Sequence, residues 1–423
     1  MTQKTPFVPK RRVRVLFIND TARNGGPGRS LYFVLKFLDP TLIHRSVMLP
    51  RPGVISAMYE DDQVAEELFF ESRLVENPIE PWSRAMARED FSAPKVLQGI
   101  RAAGNVVRAA SGLRDLAARL KKGEFDLIYC NGTNACFAGG WLSKKSNVPA
   151  LWHVRYTSVP KALEGLHLRL AASPSVRSIV CVSGASAALF PGLGSKVKVI
   201  HNALDADTFA SSDVEPVLRQ ELGFDEDTVV FGSHGRVLPR KGYMEMIDAA
   251  NELYKTVTPE EAERVRFVVV GDTPEDYTPD HLEECRARVR ALGLERRFYF
   301  IGFRADVRPY VGDFDVAVVP SVYADPLPRA VIESMVWSKP VVAFDVGGVA
   351  EMLKNGETGA LIPGSPPDIS AMARAMISYL RDDGLRRRHG DAARERIVEN
   401  FDARKQAKKI QAEIIEAARV VMN

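Results

Sequence analysis

The feature that most restricts the fold is a series of short apolar runs separated by longer amphipathic segments. The runs are Val13–Asn19, Leu127–Cys130, Ala150–Trp152, Ser178–Val182, Val197–Ile200, Val229–Ser233, Arg266–Val270, Phe298–Ile301, Val316–Pro320 and Pro340–Phe344. They are rich in Val, Ile and Phe and show little polar alternation, as expected of strands buried on both faces of a parallel sheet. Between them lie helical patterns such as Gly242–Thr256, Asp280–Leu292 and Arg329–Trp337. Repeated strand–helix–strand units predict an α/β, doubly wound architecture. The pattern starts twice, at Val13 and again at Val229. A chain of 423 residues also exceeds the roughly 250–300 at which single cores stop growing. Two Rossmann-like domains follow, 1–205 and 206–400, with Leu204–Val214 as the linker. Residues 401–423 form a last helix able to cross back to the first domain.

No run approaches the roughly 18 apolar residues of a membrane span. The polar, basic start has no apolar stretch behind it, so no secretory signal is expected. Cys130, Cys136, Cys181 and Cys285 show neither a disulfide framework nor metal-ligand spacing, which suits a reducing cytoplasm. Net charge is +3, unevenly divided: residues 1–205 hold 28 Lys and Arg against 17 Asp and Glu. A basic first half suits an anionic partner, and drift in solvated surface charge is the plainer alternative.

Three loops carry chemistry. The first run ends in Asn19-Asp20-Thr21-Ala22-Arg23-Asn24-Gly25-Gly26-Pro27-Gly28, where glycines let backbone N–H groups approach an anion at a helix start. The second domain opens with Phe231-Gly232-Ser233-His234-Gly235-Arg236-Val237-Leu238-Pro239-Arg240-Lys241-Gly242. Arg236 and Lys241 on a strand-end loop can converge on a diphosphate. The third loop is Asp325-Pro326-Leu327-Pro328-Arg329-Ala330-Val331-Ile332-Glu333, a turn feeding a helix between two carboxylates. A phosphate at that helix start, with hydroxyls on either carboxylate, is the functional reading. Asp325 as a turn cap and Glu333 as a solvated helix residue is the bland one.

Taken together, these segments resemble the retaining glycosyltransferases of the GT-B fold, family 4 (glycosyl transferases group 1). The match rests on HGRVLPRKG, DPLPRAVIE, Val180-Cys181-Val182-Ser183, Ile200-His201-Asn202-Ala203-Leu204-Asp205, Val346-Gly347-Gly348-Val349-Ala350-Glu351 and Asn355-Gly356-Glu357-Thr358-Gly359. The resemblance implies two Rossmann-like domains facing a central cleft, the first for the acceptor and the second for the nucleotide sugar. It implies that Arg236 and Lys241 hold the donor diphosphate, Glu333 the ribose hydroxyls and Asp325 a donor sugar hydroxyl. Leu327, Pro328 and Arg329 complete the donor turn, and Gly25 and Gly26 let the first domain's loop close over the phosphates. His153, at a strand end, matches the family's histidine near the reacting sugar, so Arg236, Lys241, His153 and Asp325 form the implied catalytic set. The chain departs from the pattern with Asp325 for Glu, Ala203 for Gly and Pro328 for Gly.

The expected activity is transfer of a sugar, with retention, from a nucleotide-diphosphate co-substrate, UDP favoured, to a glycan, lipid-linked or small-molecule acceptor, as in polysaccharide biosynthesis. Neither a cofactor nor a nucleic-acid partner is expected. Asp205-Ala206-Asp207, Asp225-Glu226-Asp227 and Asp313-Phe314-Asp315 invite a metal, but Arg236 and Lys241 can supply the positive charge, so none is expected. A nucleotide-sugar epimerase on the same fold and a non-catalytic sugar-nucleotide-binding subunit are the rival readings. Residues 84–122 place nine basic against three acidic side chains among apolar residues at helical spacing. Such a helix can lie on an anionic membrane, which would put a cytoplasmic enzyme at the inner membrane face. Packing on the first sheet with a basic solvent face is the alternative.

Overall fold

The computed structural model describes residues 9–22, 25–74, 95–274, 277 and 280–422, with the side chains of 95–99, 101 and 102 outside that set. The chain divides into two compact units, Met1–Ala203 with Ala403–Asn423, and Leu204–Asp402. The segment after Asp402 is therefore part of the first unit, and the stretch read as a linker belongs to the second.

Among the described residues, the first unit holds seven strands: β1 (Val13–Asn19), β2 (Ile43–Leu49), β3 (Glu67–Phe70), β4 (Leu127–Asn131), β5 (Ala150–Val154), β6 (Val176–Cys181) and β7 (Val197–Val199). All pair in parallel, in the order β3-β2-β1-β4-β5-β6-β7. The absence of polar alternation now has its cause. Val13, Val15 and Phe17 face Leu31, Leu35, Ile410 and Ile414 on one side. Leu16 and Ile18 face Leu116, Leu120, Cys136 and Leu142 on the other. Successive side chains of a strand point to opposite faces, so two covered faces demand apolar residues throughout.

The helix Ala403–Met422 seals the first of those faces through Ile410, Ile414 and Ala418, four residues apart. Full burial of each isoleucine contributes about 1.5–3 kcal/mol. Asp39 N–H donates to Gln411 Oε1 at 2.8 Å, and Ser178 Oγ donates to Glu413 Oε2 at 2.8 Å, which fixes the helix register.

The second unit holds six described strands, β8 (Val229–His234), β9 (Val265–Val270), β10 (Phe298–Phe300), β11 (Val316–Val319), β12 (Val341–Asp345) and β13 (Gly359–Pro363), all parallel in the order β10-β9-β8-β11-β12-β13. In both sheets the strand order reverses beside the first strand, between β1 and β4 and between β8 and β11. Ligands of open α/β sheets bind at the carboxyl ends of the strands flanking such a switch point.

β2, β3 and β13 go unread in the sequence. β2 is broken by His44, Arg45 and Ser46, and Arg45 is buried only because Glu66 Oε2 (3.0 Å) and the Leu35 carbonyl (2.9 Å) accept its N–H groups. β3 and β13 are edge strands, where burial of one side suffices.

The helix Lys95–Lys121 packs on the first unit through its last turns and leaves apolar side chains exposed earlier along its length. Leu116, Ala117 and Leu120 pack into the core, whereas Ile100, Val106 and Val107 are 64%, 46% and 70% exposed. Arg84, Arg88, Glu89 and Asp90 lie outside the described residues, as do the side chains of Lys95 and Arg101.

Candidate functional site

In the second unit, β8 ends at His234 and the chain passes through Gly235 and Arg236 to a short turn, Pro239–Lys241, before the helix Tyr243–Thr256. Arg236 is solvent-exposed on this loop. Gly242 makes the turn possible. Its φ is +75°, and a Cβ there would sit 1.8 Å from the carbonyl oxygen of Pro320 at the end of β11. That contact brings Lys241 to the segment after β11, where its Nζ donates to Asp325 Oδ2 at 2.7 Å. The hydroxyl of Tyr323 donates to the same oxygen at 2.7 Å. The Lys241 ammonium lies 5.3 Å and the Arg240 guanidinium 5.1 Å from the centre of the Tyr323 ring, within reach of cation–π attraction.

Asp325 is therefore not a lone turn cap. It is 6% exposed and shares one oxygen between an ammonium and a phenol. The loop holding it is shaped by the glycine pair that follows β12. Gly347 has a φ of +59°, and its Cβ would sit 2.1 Å from the Asp325 carbonyl oxygen. Gly348 N–H donates to that same oxygen at 2.9 Å.

Glu333 lies in the helix Arg329–Met335 that follows, with Pro328 at its N-cap and Leu327 buried beneath. It is not a solvated residue: it is 7% exposed. The Arg329 guanidinium holds Oε1 at 2.9 Å from Nε and 2.8 Å from the outer nitrogen. His234 Nε2 lies 2.9 Å from Oε2. A buried carboxylate needs such partners, and they also fix its orientation. His234 was given no role in the sequence, although a polar residue at the end of an apolar strand, the placing that marked out His153, holds for His234 as well.

Asp313 and Asp315 are engaged elsewhere. Asp315 Oδ2 accepts from the Arg219 guanidinium at 2.6 Å and from Val230 N–H at 2.8 Å, while Asp313 accepts from Arg219 N–H at 3.0 Å. They clamp a helix to the sheet.

In the first unit a second polar cluster lies at the carboxyl ends of β1, β4 and β5. Asn131 donates to Asn19 Oδ1 at 2.6 Å and to the Pro27 carbonyl at 3.1 Å, tying the glycine-rich turn to the strand ends. Arg155 Nε donates to Asn131 Oδ1 at 2.6 Å, and a terminal nitrogen of the same group donates to Asn202. The other terminal nitrogen lies 3.3 Å from His153 Nδ1, which also meets the Tyr129 hydroxyl. Gly25 is the N-cap of the helix Gly26–Phe37, and its carbonyl accepts from Arg29 N–H at 3.2 Å. Arg23 and Asn24 lie outside the described residues.

His153 is buried, 2% exposed. Arg155 can only donate, so Nδ1 is an acceptor and the ring proton sits on Nε2. Burial, reinforced by the Arg155 charge, pushes the imidazole well below its ordinary range and keeps it neutral. A neutral imidazole with its basic nitrogen occupied is a hydrogen-bond donor rather than a proton acceptor. Arg155, Asn131 and Tyr129 were not foreseen: they are polar residues within or just past apolar strands, and only the sheet order makes them neighbours.

Residues 214–396 match the model of the family described as glycosyl transferases group 1. An alpha-maltose-1-phosphate synthase of Mycolicibacterium smegmatis is 30% identical over 223 residues, 50% of this chain and 55% of that protein. The chain spans about half the length of the curated relatives it matches at 29–32% identity. A UDP-Gal:alpha-D-GlcNAc-diphosphoundecaprenol alpha-1,3-galactosyltransferase of Escherichia coli is 22% identical over 76% of this chain and 82% of its own. Among solved structures, HepE of Anabaena in complex with UDP superposes with a TM-score of 0.76 at 24% identity, over 96% of this chain and 100% of that one. No helix among the described residues is long and apolar enough to cross a membrane. The two parallel α/β units have the GT-B fold, and over residues 214–396 the chain is similar to the glycosyl transferases group 1 family.

Proposed function

We propose that this chain transfers a sugar, with retention, from a nucleotide-diphosphate donor to an acceptor, and that UDP is the nucleotide. The observation that carries the reading is the pair of prearranged carboxylates after β11. Glu333 is held by His234 and Arg329, and Asp325 is held by Lys241 and Tyr323, all at the carboxyl ends of strands beside the switch point. Glu333, fixed with both oxygens oriented, accepts the two ribose hydroxyls. Arg236 and Lys241 take the diphosphate. Lys241 then exchanges part of its contact with Asp325 for phosphate oxygens, leaving Asp325 to accept a donor sugar hydroxyl. Positive charge fixed where the leaving diphosphate gains negative charge lowers the barrier without reorganisation at the moment of transfer. No divalent ion is needed for that role. The complex of HepE with UDP supports the choice of nucleotide.

The acceptor we propose is a lipid-linked glycan. The name of the Escherichia coli relative, which pairs UDP-Gal with a diphosphoundecaprenol-linked sugar, supports this choice. The exposed apolar side chains of Ile100, Val106 and Val107, beside Arg108 and Arg114, supply a surface suited to an anionic membrane.

A thermal-shift screen against UDP, GDP, ADP and dTDP, followed by turnover of the matching sugars with lipid-linked and soluble glycan acceptors, tests the proposal. Stabilisation by UDP and acceptor-dependent release of UDP are expected. Epimerisation of donor alone, or binding without turnover on any acceptor, would replace it by one of the rival readings.

A further inference from the structure

His153 and Ser30, on separate elements of the first unit, line one small cavity bounded by the end of β5, the helix Gly26–Phe37 and the helix Ala403–Met422. Its volume is about 10 Å³. That is room for one water molecule and too little for a sugar. Among the polar atoms of its lining residues, His153 Nε2 and Ser30 Oγ are fully buried and have no hydrogen-bond partner among the described residues. The residues themselves are 2% and 4% exposed. Gln406, Asn202 and Arg155 also line the cavity, so its wall is polar as well as small. Buried polar groups in folded proteins are almost always satisfied by protein or ordered water, and an orphan N–H is the costlier kind to leave.

We propose that one ordered water occupies this cavity, accepting from His153 Nε2–H and donating to Ser30 Oγ, and that Ser30 is thereby a positioning residue for the strand-end cluster. The chemistry of the two atoms is complementary to water. With Tyr129 and Arg155 both donating to Nδ1, the imidazole has only Nε2–H left to offer. A serine hydroxyl accepts as readily as it donates. The water then completes a chain from the helix Gly26–Phe37 through His153 to Arg155, and from Arg155 to Asn131 and Asn202. The imidazole is gripped on both nitrogens and cannot flip, which keeps the Arg155 fork in place.

The test needs no substrate. A crystal structure of the full chain that shows ordered solvent should place one water within hydrogen-bond distance of both atoms. A dry cavity, or a direct bond between Ser30 and the imidazole, would overturn the proposal. In ¹⁵N-histidine-labelled protein, His153 should be the Nε2–H tautomer near neutral pH, with that proton protected from exchange. Finding the Nδ1–H tautomer would overturn it too. Ser30→Ala, a change that suits a helix, should remove the water and speed Nε2–H exchange by about tenfold, the worth of one hydrogen bond. Unchanged exchange in that variant would refute the positioning role even if wild type holds the water.

Discussion

Glu333→Gln separates the structural and binding roles of the same carboxylate. Three of the close contacts of Glu333 are two with Arg329, at 2.9 and 2.8 Å, and one with His234 at 2.9 Å. The amide keeps the shape and an acceptor oxygen for Arg329, but the charge is lost and an NH2 group faces His234. Hydrogen bonds to charged groups are worth roughly 1.5–3 kcal/mol and neutral ones roughly 0.5–1.5, so each contact weakens by about 1 kcal/mol. The three share one charge and are not additive, which makes a net loss of about 2 kcal/mol reasonable. For a unit of this size, about 2–4 °C of Tm accompanies each kcal/mol, so a fall of about 4–8 °C is expected. Binding of UDP should weaken at least about tenfold, because the amide cannot accept from both ribose hydroxyls. Differential scanning fluorimetry and titration calorimetry read the two effects independently. An unchanged Tm would refute the energetic account of the Glu333 cluster. A lowered Tm with unchanged UDP affinity would refute the ribose assignment while leaving the packing argument intact.

Arg236→Ala and Lys241→Ala should each lower kcat with UDP-sugar more than they raise KM for the acceptor, since both act on charge that grows as the diphosphate leaves. Initial rates at varied acceptor concentration decide this. Turnover should survive EDTA, and loss of activity restored by magnesium or manganese would return the aspartate pairs to consideration. The chain should float with liposomes containing anionic lipid at low salt and dissociate at high salt, each basic side chain at the surface contributing about 1 kcal/mol. Replacing Ile100, Val106 and Val107 by Ser should abolish flotation if the exposed helix face is the contact. Asp126 gives a pH signature for the first unit. Burial would raise its pKa, but hydrogen bonds from Arg11 and Arg14 outweigh that and hold the carboxyl down at about 2. A depressed folded-state pKa gives stability that is complete above the unfolded value near 4 and is lost as pH falls through about 2. Both arginines are partly solvated, so the effect is on the order of 1–2 kcal/mol. Urea midpoints of Asp126→Asn should lie below wild type near neutral pH and converge with it near pH 2.

The chain by itself determined everything that depends on local period and on residues close in sequence. Strands such as Val13–Asn19 and Val229–His234 were legible because burial on both faces leaves no room for polar alternation, and that is a one-dimensional signal. The two restarts and the loops carrying Arg236, Lys241, Asp325 and Glu333 were legible for the same reason, since each follows directly on such a strand. β2 was not, because Arg45 becomes tolerable inside only when Glu66, on a later segment, neutralises it. The roles of Glu333 and Asp325 as held groups were likewise invisible. His234 stands 99 positions from Glu333 in sequence, and Lys241 stands 84 from Asp325. Only the order of β8 beside β11, with Gly242 admitting the carbonyl of Pro320, brings these partners within 3 Å. His153 shows the same division: its strand-end place could be read from the chain, but its burial, its tautomer and its small cavity exist only once the helix Ala403–Met422 has folded back over the first sheet.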